Sequence, residues 1–226
     1  MKCKIVTFNE VYSMVERVSV DVATSGYKPT TIVGLARGGW VPARLMCDFL
    51  GITDLISLKV EHWLQTGKTK DEATIRYPLT VELKGKTLLI VDDIADTGKS
   101  LITSLEYLKK FTPDGMRVAT MQYIPQSKYK PDYFAEEVNV WKWFIYPWNW
   151  IEDTSTLIVR LMRTQNGKKW TLDDVVEGLK KSFEIKWAKR MLRRILETMT
   201  ERGQVETLST RRDIVYMLKT EKVIQL

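Results

Sequence analysis

LLIVDDIADTGKSL, Leu88 to Leu101, runs from four apolar residues into a pair of carboxylates, Asp92 and Asp93, and then into a polar turn, Asp96-Thr97-Gly98-Lys99-Ser100. The apolar half has the length and composition of a buried strand. The turn imitates the end of a nucleotide P-loop, but G-x-x-x-x-G-K-[ST] needs Gly at position 93, where this chain has Asp93, so a Walker A loop is excluded. What remains is a strand that delivers two carboxylates to its exposed end, followed by a turn whose backbone N–H groups open a helix. Such a turn holds one phosphate through its amides and the helix dipole, with the hydroxyls of Thr97 and Ser100 as further donors. Carboxylates beside a phosphate repel it unless they face something else. Sugar hydroxyls donate to carboxylates, and Mg²⁺ takes oxygen ligands, so the implied ligand is a ribose 5-phosphate carrying a metal-bound group.

Outward from this stretch, residues 30–35 (TTIVGL), 55–60 (LISLKV), 87–92 (TLLIVD) and 117–124 (RVATMQYI) predict buried strands. Residues 8–25, with Asn9 as N-cap, 40–50 and 99–110 predict helices between them. Strands alternating with helices imply a mostly parallel, twisted α/β sheet that binds ligands at the carboxyl ends of its strands. The polar stretch 61–78, EHWLQTGKTKDEATIRYP, breaks the alternation and reads as a long loop. Further on, Thr171-Leu172-Asp173-Asp174 resembles a capping box that opens a helix to about Ser182. A second helix is predicted over 185–201, stopped by Gly203, and a third over 209–219.

Composition sets the frame. In 226 residues no apolar run reaches the ~18 residues of a membrane span, and MKCKIVTFNE lacks the apolar core of a signal peptide, so a cytoplasmic protein with no membrane partner is expected. Cys3 and Cys47 suggest neither a metal knuckle nor a disulfide framework. Residues 1–154 carry 19 Lys/Arg and 19 Asp/Glu, whereas residues 155–226 carry 16 and 9, so the whole excess of +7 lies in the last third. The division expected is a domain at 1–153 and a small, basic, helical domain at 154–226.

DDIADTGKS closely resembles the PRPP-binding signature of type I phosphoribosyltransferases, and the resemblance implies that fold, with flanking helices, for residues 1–153. It implies that Asp92 and Asp93 hold the ribose hydroxyls and that Ala95, Thr97, Gly98, Lys99 and Ser100 hold the 5-phosphate. Asp96 sits where the 6-oxopurine branch carries the carboxylate that faces N7 of the base and accepts its proton. GLARGGWVPARLMCDFLGI, Gly34 to Ile52, is similar to the pyrophosphate loop and following helix of bacterial xanthine-guanine phosphoribosyltransferases. There Arg37 would clamp pyrophosphate, with Gly38 and Gly39 letting backbone approach its oxygens. YKPDYFAEEV, Tyr129 to Val138, and WFIYPWNW, Trp143 to Trp150, resemble the base pocket and hood of hypoxanthine-guanine enzymes, with Trp143 stacking on the purine and the Phe144 backbone bonding its edge. The acidic metal contact of the family after Pro-Trp is Asn149 here, which leaves Mg²⁺ held chiefly by the ligand, with Asp93 an indirect contact.

The implied chemistry is salvage of a purine: N9 displaces pyrophosphate from PRPP to give a nucleoside monophosphate, with Mg²⁺ as cofactor and a homodimer as the family's assembly. Lys68 and Lys70, in the 61–78 loop, are candidate pyrophosphate contacts, and His62 receives no catalytic role. Gln122 falls where 6-oxopurine enzymes carry a lysine that donates to the 6-oxo group. A Gln amide offers an acceptor to the 6-amino group of adenine, so adenine is the expected base, in line with a resemblance to the adenine enzymes of Crenarchaeota with a helical C-terminal domain. Hypoxanthine/guanine specificity is the alternative, with Lys128 reaching back as the donor. A reading of another class makes the chain a PRPP-sensing regulator whose basic C-terminal helices form a winged-helix-like DNA-binding domain. The retention of Arg37 and Asp96, and the position of that domain after rather than before the transferase-like domain, weigh against it, so no nucleic-acid partner is expected.

Overall fold

A computed structural model describes residues 1–62, 73–209 and 214–219. Lys68 and Lys70 lie outside the described residues. In chain order the elements begin with β1 (Cys3–Ile5), α1 (Phe8–Thr24), β2 (Thr31–Ala36), α2 (Trp40–Leu50), β3 (Leu55–His62) and β4 (Ala73–Ile75). They continue with β5 (Thr87–Ala95), α3 (Lys99–Lys109), β6 (Gly115–Tyr123), β7 (Tyr133–Glu137) and β8 (Trp143–Ile145). The last six are α4 (Trp150–Arg163), β9 (Trp170–Thr171), α5 (Leu172–Phe183), α6 (Lys189–Glu201), β10 (Val205–Ser209) and β11 (Ile214–Leu218).

These elements fall into two compact units, Phe8–Trp141 and the pair of segments Met1–Thr7 and Lys142–Leu226. The first unit is built on a six-stranded sheet of order β4-β3-β2-β5-β6-β7, parallel throughout except for the β3–β4 pair. Helices cover both of its faces. Strand residues alternate between faces, and Gly34 on β2 points at Ala43 of α2, where an added Cβ would lie 2.9 Å from the alanine methyl. Val33 and Leu35 point the other way, into a core with Leu88, Ile90 and Val118 of the sheet and Leu101 and Leu108 of α3. Burial on both faces is why β2 and Leu88–Val91 of β5 read as nearly unbroken apolar runs rather than alternating ones. Asn9 lies inside the first turn of α1, which begins at Phe8.

The second unit has its own core, in which Cys3 and Ile145 join Leu157, Ile158, Leu161, Trp170, Val175, Leu179, Leu192, Ile195, Leu196 and Met199. β1 pairs in parallel with β8, and the Trp150 indole N–H donates to the Val6 carbonyl at 3.0 Å. The chain's first residues therefore group with its last third, and position 153/154 falls inside α4. The capping box at α5 forms as expected: Thr171 Oγ1 accepts from the Asp174 N–H at 3.1 Å, and Asp174 Oδ2 accepts from the Thr171 N–H at 2.9 Å. Residues 209–219 correct the sequence expectation of a third helix. Of these, Ser209 ends β10 and Ile214–Leu218 form β11, which pairs antiparallel with β10 on one side and β9 on the other. Val215 and Tyr216 are buried there, and the β-branched and aromatic Ile214-Val215-Tyr216 favours a strand once β9 and β10 are available to pair with it.

Candidate active site

The order β4-β3-β2-β5-β6-β7 reverses direction between β2 and β5, which lie side by side with Val33 opposite Ile90 and Gly34 opposite Val91. Open α/β sheets bind ligands at the carboxyl ends of their strands where the order reverses. Two segments leave the sheet there: Arg37-Gly38-Gly39 after β2, and Asp92 to Ser100 at the end of β5. The Ala36–Arg37 peptide is cis.

Both glycines of the first segment are set by close approach. A methyl at Gly39 would sit 2.2 Å from the Val91 carbonyl oxygen and within 3 Å of the Leu35 backbone, so only Gly lets α2 start against β2 and β5. A methyl at Gly38 would sit 2.2 Å from Asp93 Oδ2, which places the Asp93 carboxylate directly over the loop after β2. Arg37 is exposed at the mouth of the same loop.

The adjacent carboxylates are tied down by backbone. The Asp93 N–H donates to Asp92 Oδ1 and the Ile94 N–H to Asp93 Oδ1, each at 2.9 Å. Asp92 is half-buried. Burial first, and the neighbouring Asp93 carboxylate second, push its pKa well above the ordinary carboxylate value; the Asp93 N–H opposes them.

Asp96 and Thr97 are exposed in the turn between β5 and α3, while Lys99 and Ser100 are half-buried in the first turn of α3. Gly98 precedes α3 with φ +76, and a side chain there would meet Ser127 Oγ and the Tyr129 amide nitrogen at 2.7 Å. The turn is braced from behind. The Lys128 N–H donates to the Thr97 carbonyl at 3.1 Å and the Ile124 N–H to the Ala95 carbonyl at 3.0 Å. The bracing segment Ser127–Tyr129 fixes the shape of this turn, a contact that the sequence alone does not reveal. Its nearest trace in sequence is the tight Pro125–Tyr129 connection after a strand that ends beside the turn.

In the Tyr-Lys-Pro-Asp stretch, Asp132 accepts from the Val118 N–H at 2.8 Å and from the Arg117 guanidinium, joining β6 to the approach to β7. Gln122 is fully buried on β6, opposite Glu136 of β7, and donates its amide to Glu136 Oε2 at 2.9 Å. Trp143 and Phe144 lie on β8 in the other unit; Trp143 is 42% exposed, and Phe144 begins a series of stacked rings with Tyr146 and Trp148. The structure thus brings together Gly38, Asp92, Asp93 and the Asp96–Ser100 turn at one sheet edge, and places Gln122 inside the sheet.

A carboxylate pair beside a glycine loop and a helix-opening turn can bind a phosphorylated sugar and an anionic leaving group at one switch point. Comparison with known proteins agrees. Residues 7–152 match the phosphoribosyl transferase domain family. A xanthine-guanine phosphoribosyltransferase of Cereibacter sphaeroides is 33% identical over 122 residues, covering 52% of this chain and 68% of that protein. Among solved structures, a purine phosphoribosyltransferase from Pyrococcus horikoshii superposes with a TM-score of 0.59 at 30% identity, covering 66% of this chain and 94% of that one. A xanthine-guanine-hypoxanthine phosphoribosyltransferase of Helicobacter pylori shares the fold with a TM-score of 0.57 at 20% identity, covering 68% and 96%.

Proposed function

Because the chain belongs to the phosphoribosyl transferase family, we propose that its switch-point site transfers the 5-phosphoribosyl group of PRPP to N9 of a purine. The observation that carries this reading is the Asp93 carboxylate lying against Gly38, which joins the ribose-binding and pyrophosphate-binding segments in one place. The C1–N9 bond forms as the bond from C1 to pyrophosphate breaks, and the proton displaced from the purine passes to Asp96. Thr97, Ser100 and the amides around Gly98 hold the 5-phosphate, Asp92 and Asp93 accept from the ribose hydroxyls, and Arg37 with the loop amides receives the departing pyrophosphate. Asp96 stands exposed in the turn, where a base bound over the ribose can reach it.

The donor set fits Mg²⁺ bound together with substrate. Among the described residues no cluster of three or more His, Cys, Asp or Glu could cage a metal. A carboxylate pair is present, and Mg²⁺ is ordinarily completed by phosphate oxygens and water. Bound with PRPP, Mg²⁺ would supply charge neutralisation at the pyrophosphate, with Asp93 as an indirect contact.

For the base, the 6-oxopurines guanine, xanthine and hypoxanthine are the reading with more support. The relatives' names point to them, and Lys128, an exposed ammonium anchored by its backbone to the phosphate turn, is a donor for a 6-oxo acceptor. Adenine is the second reading and rests on Gln122. It requires that buried amide to turn from Glu136 and offer its oxygen to the 6-amino group. A homodimer remains part of this reading, as does a soluble intracellular setting; among the described residues no helix is long and apolar enough to cross a membrane.

The test is nucleotide formation from PRPP and Mg²⁺ with guanine, xanthine, hypoxanthine and adenine in parallel. Turnover of a 6-oxopurine that falls in Lys128→Ala is expected. Preferential turnover of adenine that is lost in Gln122→Lys would favour the second reading, and PRPP consumption with none of the four would sink both.

A further inference from the structure

Residues 150–218 form a sequence of elements that the catalytic chemistry does not use: α4, β9, α5, α6, β10 and β11, with the strands in the order β10-β11-β9 and antiparallel throughout. Helix, strand, two helices and a two-stranded hairpin whose last strand lies in the middle of the sheet is the winged-helix arrangement, in which the third helix is the one offered to a DNA groove. Here that helix is α6. Its apolar residues Leu192, Ile195, Leu196 and Met199 are all spent on the unit's own core. What it leaves outside is Lys189, Arg190, Arg193 and Arg194 in its first half and Glu197 and Glu201 in its second. From Lys186 to Leu196 there are five cations and no acidic residue. Among the described residues, Lys189 pairs with Asp173, while Arg190, Arg193 and Arg194 are engaged in no ion pair.

The direction of charge along the helices makes a second, independent point. The positive end of a helix dipole is its N-terminus, which favours acids in the first turn and cations in the last. α4 obeys this, with Glu152 and Asp153 at its start and Arg160 and Arg163 at its end, and so does α5, with Asp173 and Asp174 at its start and Lys180 and Lys181 at its end. α6 inverts it. It has no acid in its first turn, no side-chain cap at Ala188, cations through its first half and Glu197 and Glu201 in its second. Crowding cations onto an uncapped, positive helix end opposes the helix's own stability, and an external polyanion removes that conflict.

We propose that α6 is a duplex-DNA-binding helix, so that the chain joins a transferase site to a winged-helix DNA-binding unit. Arg190, Arg193 and Arg194 supply forked guanidinium donors that fit phosphate oxygens or the O6 and N7 acceptors of guanine, and Glu197 sits one turn on as an acceptor for the cytosine amino group. The occupant is duplex DNA because the winged-helix order assigns α6 to the groove-reading position, a major groove admits one helix, and the helix's exposed chemistry is cationic and hydrogen-bonding rather than apolar. The inference does not depend on which base the transferase site takes.

The experiment is fluorescence anisotropy of the full-length protein with a labelled duplex of ~25 base pairs, at salt from ~50 to ~200 mM. If three arginines neutralise three phosphates, affinity falls roughly 40-fold across that range, from a slope of about −0.9 per contact. Arg190→Ala/Arg193→Ala/Arg194→Ala should weaken binding at least ~10-fold and flatten the salt slope by about 2 to 3, with a thermal midpoint at or above that of the wild type, since the cations oppose the helix dipole. Lys109→Ala/Lys110→Ala, at the C-terminal end of α3, should change neither. Absence of duplex binding at ~50 mM salt, equal binding by the triple-arginine variant, an equal loss in the lysine control, or stronger binding of single-stranded DNA or RNA than of duplex would each overturn the proposal.

Discussion

The two units handle negative charge by opposite means. Phe8–Trp141 carries 16 Lys/Arg against 17 Asp/Glu, and the phosphate turn proposed for it relies on backbone amides, two hydroxyls and a glycine, with Asp92, Asp93 and Asp96 close by. The other unit carries 19 against 11, and the outward face of α6 works through guanidinium side chains on a helix end that already repels them. Fixed amides recognise one small anion in one orientation and add no net charge. Mobile cations suit an extended, repetitive polyanion and reveal themselves in net charge. A charge census therefore finds the second surface and is blind to the first.

Glycines sharpen the contrast, because the same dihedral serves different ends in the two units. Gly98, at φ +76, is crowded by Ser127 and Tyr129, whereas Gly167, at φ +77, has nothing within 4 Å of its missing side chain. Gly39 is the most constrained, facing the Val91 carbonyl. Gly39→Ala should give the largest effect, a loss of about 3 kcal/mol or more with most soluble protein gone, since backbone rather than a mobile side chain must yield. Gly167→Ala should cost only about 1 kcal/mol, the penalty for a left-handed alanine in open space. Chemical denaturation measures both, and equal losses would erase the distinction.

The next effect is on ligand affinity. Thr97→Ala and Ser100→Ala should each weaken PRPP and the nucleotide product by roughly 10-fold, the value of one hydrogen bond to a charged group, because both ligands carry the 5-phosphate. Titration of the nucleoside monophosphate checks this, and unaltered affinity would mean that the turn has been misassigned.

How much of this was legible in sequence follows from how local each feature is. β2 and Leu88–Val91 of β5 announce themselves because burial on both faces leaves them almost wholly apolar, β3 and β6 through their apolar and β-branched content, and Asp92 to Ser100 announce the site because strand, carboxylates and turn are contiguous. Pairings between distant segments left no local mark. β1 finds β8 some 140 residues away, and Gln122 finds Glu136 across two strands. The 209–219 segment misled for the same reason: IVYML is short enough to be helix or strand, and only its neighbours β9 and β10 decide. The shift to basic composition after Thr154 marks a change of chemistry, while the structural grouping is set by the apolar core that reaches back to Cys3.

The smallest predicted effect on activity-independent behaviour is also the most diagnostic of a site built at a cost to the fold. Asp92 holds a raised pKa through burial and the Asp93 charge, so its ionisation opposes folding. Its favourable, protonated state is fully available below the unfolded value of about 3.9, and stability is lost as pH climbs from there through the raised folded value. Asp92→Asn should therefore match the wild type at low pH and melt higher at neutral pH, by about 2–4 °C for each kcal/mol released, while binding PRPP less well. A variant that melts lower at neutral pH would show the carboxylate to be stabilising instead.

The central claim is that one turn separates binding from chemistry, with Thr97 to Ser100 holding phosphate and Asp96 accepting the purine proton. Asp96→Asn, measured by calorimetric titration of PRPP beside steady-state turnover, tests it most directly. PRPP affinity within about 3-fold of wild type and kcat reduced by ~10² to 10⁴ is the result expected of a lost general base. Unchanged kcat, or PRPP affinity lost in step with turnover, would contradict it.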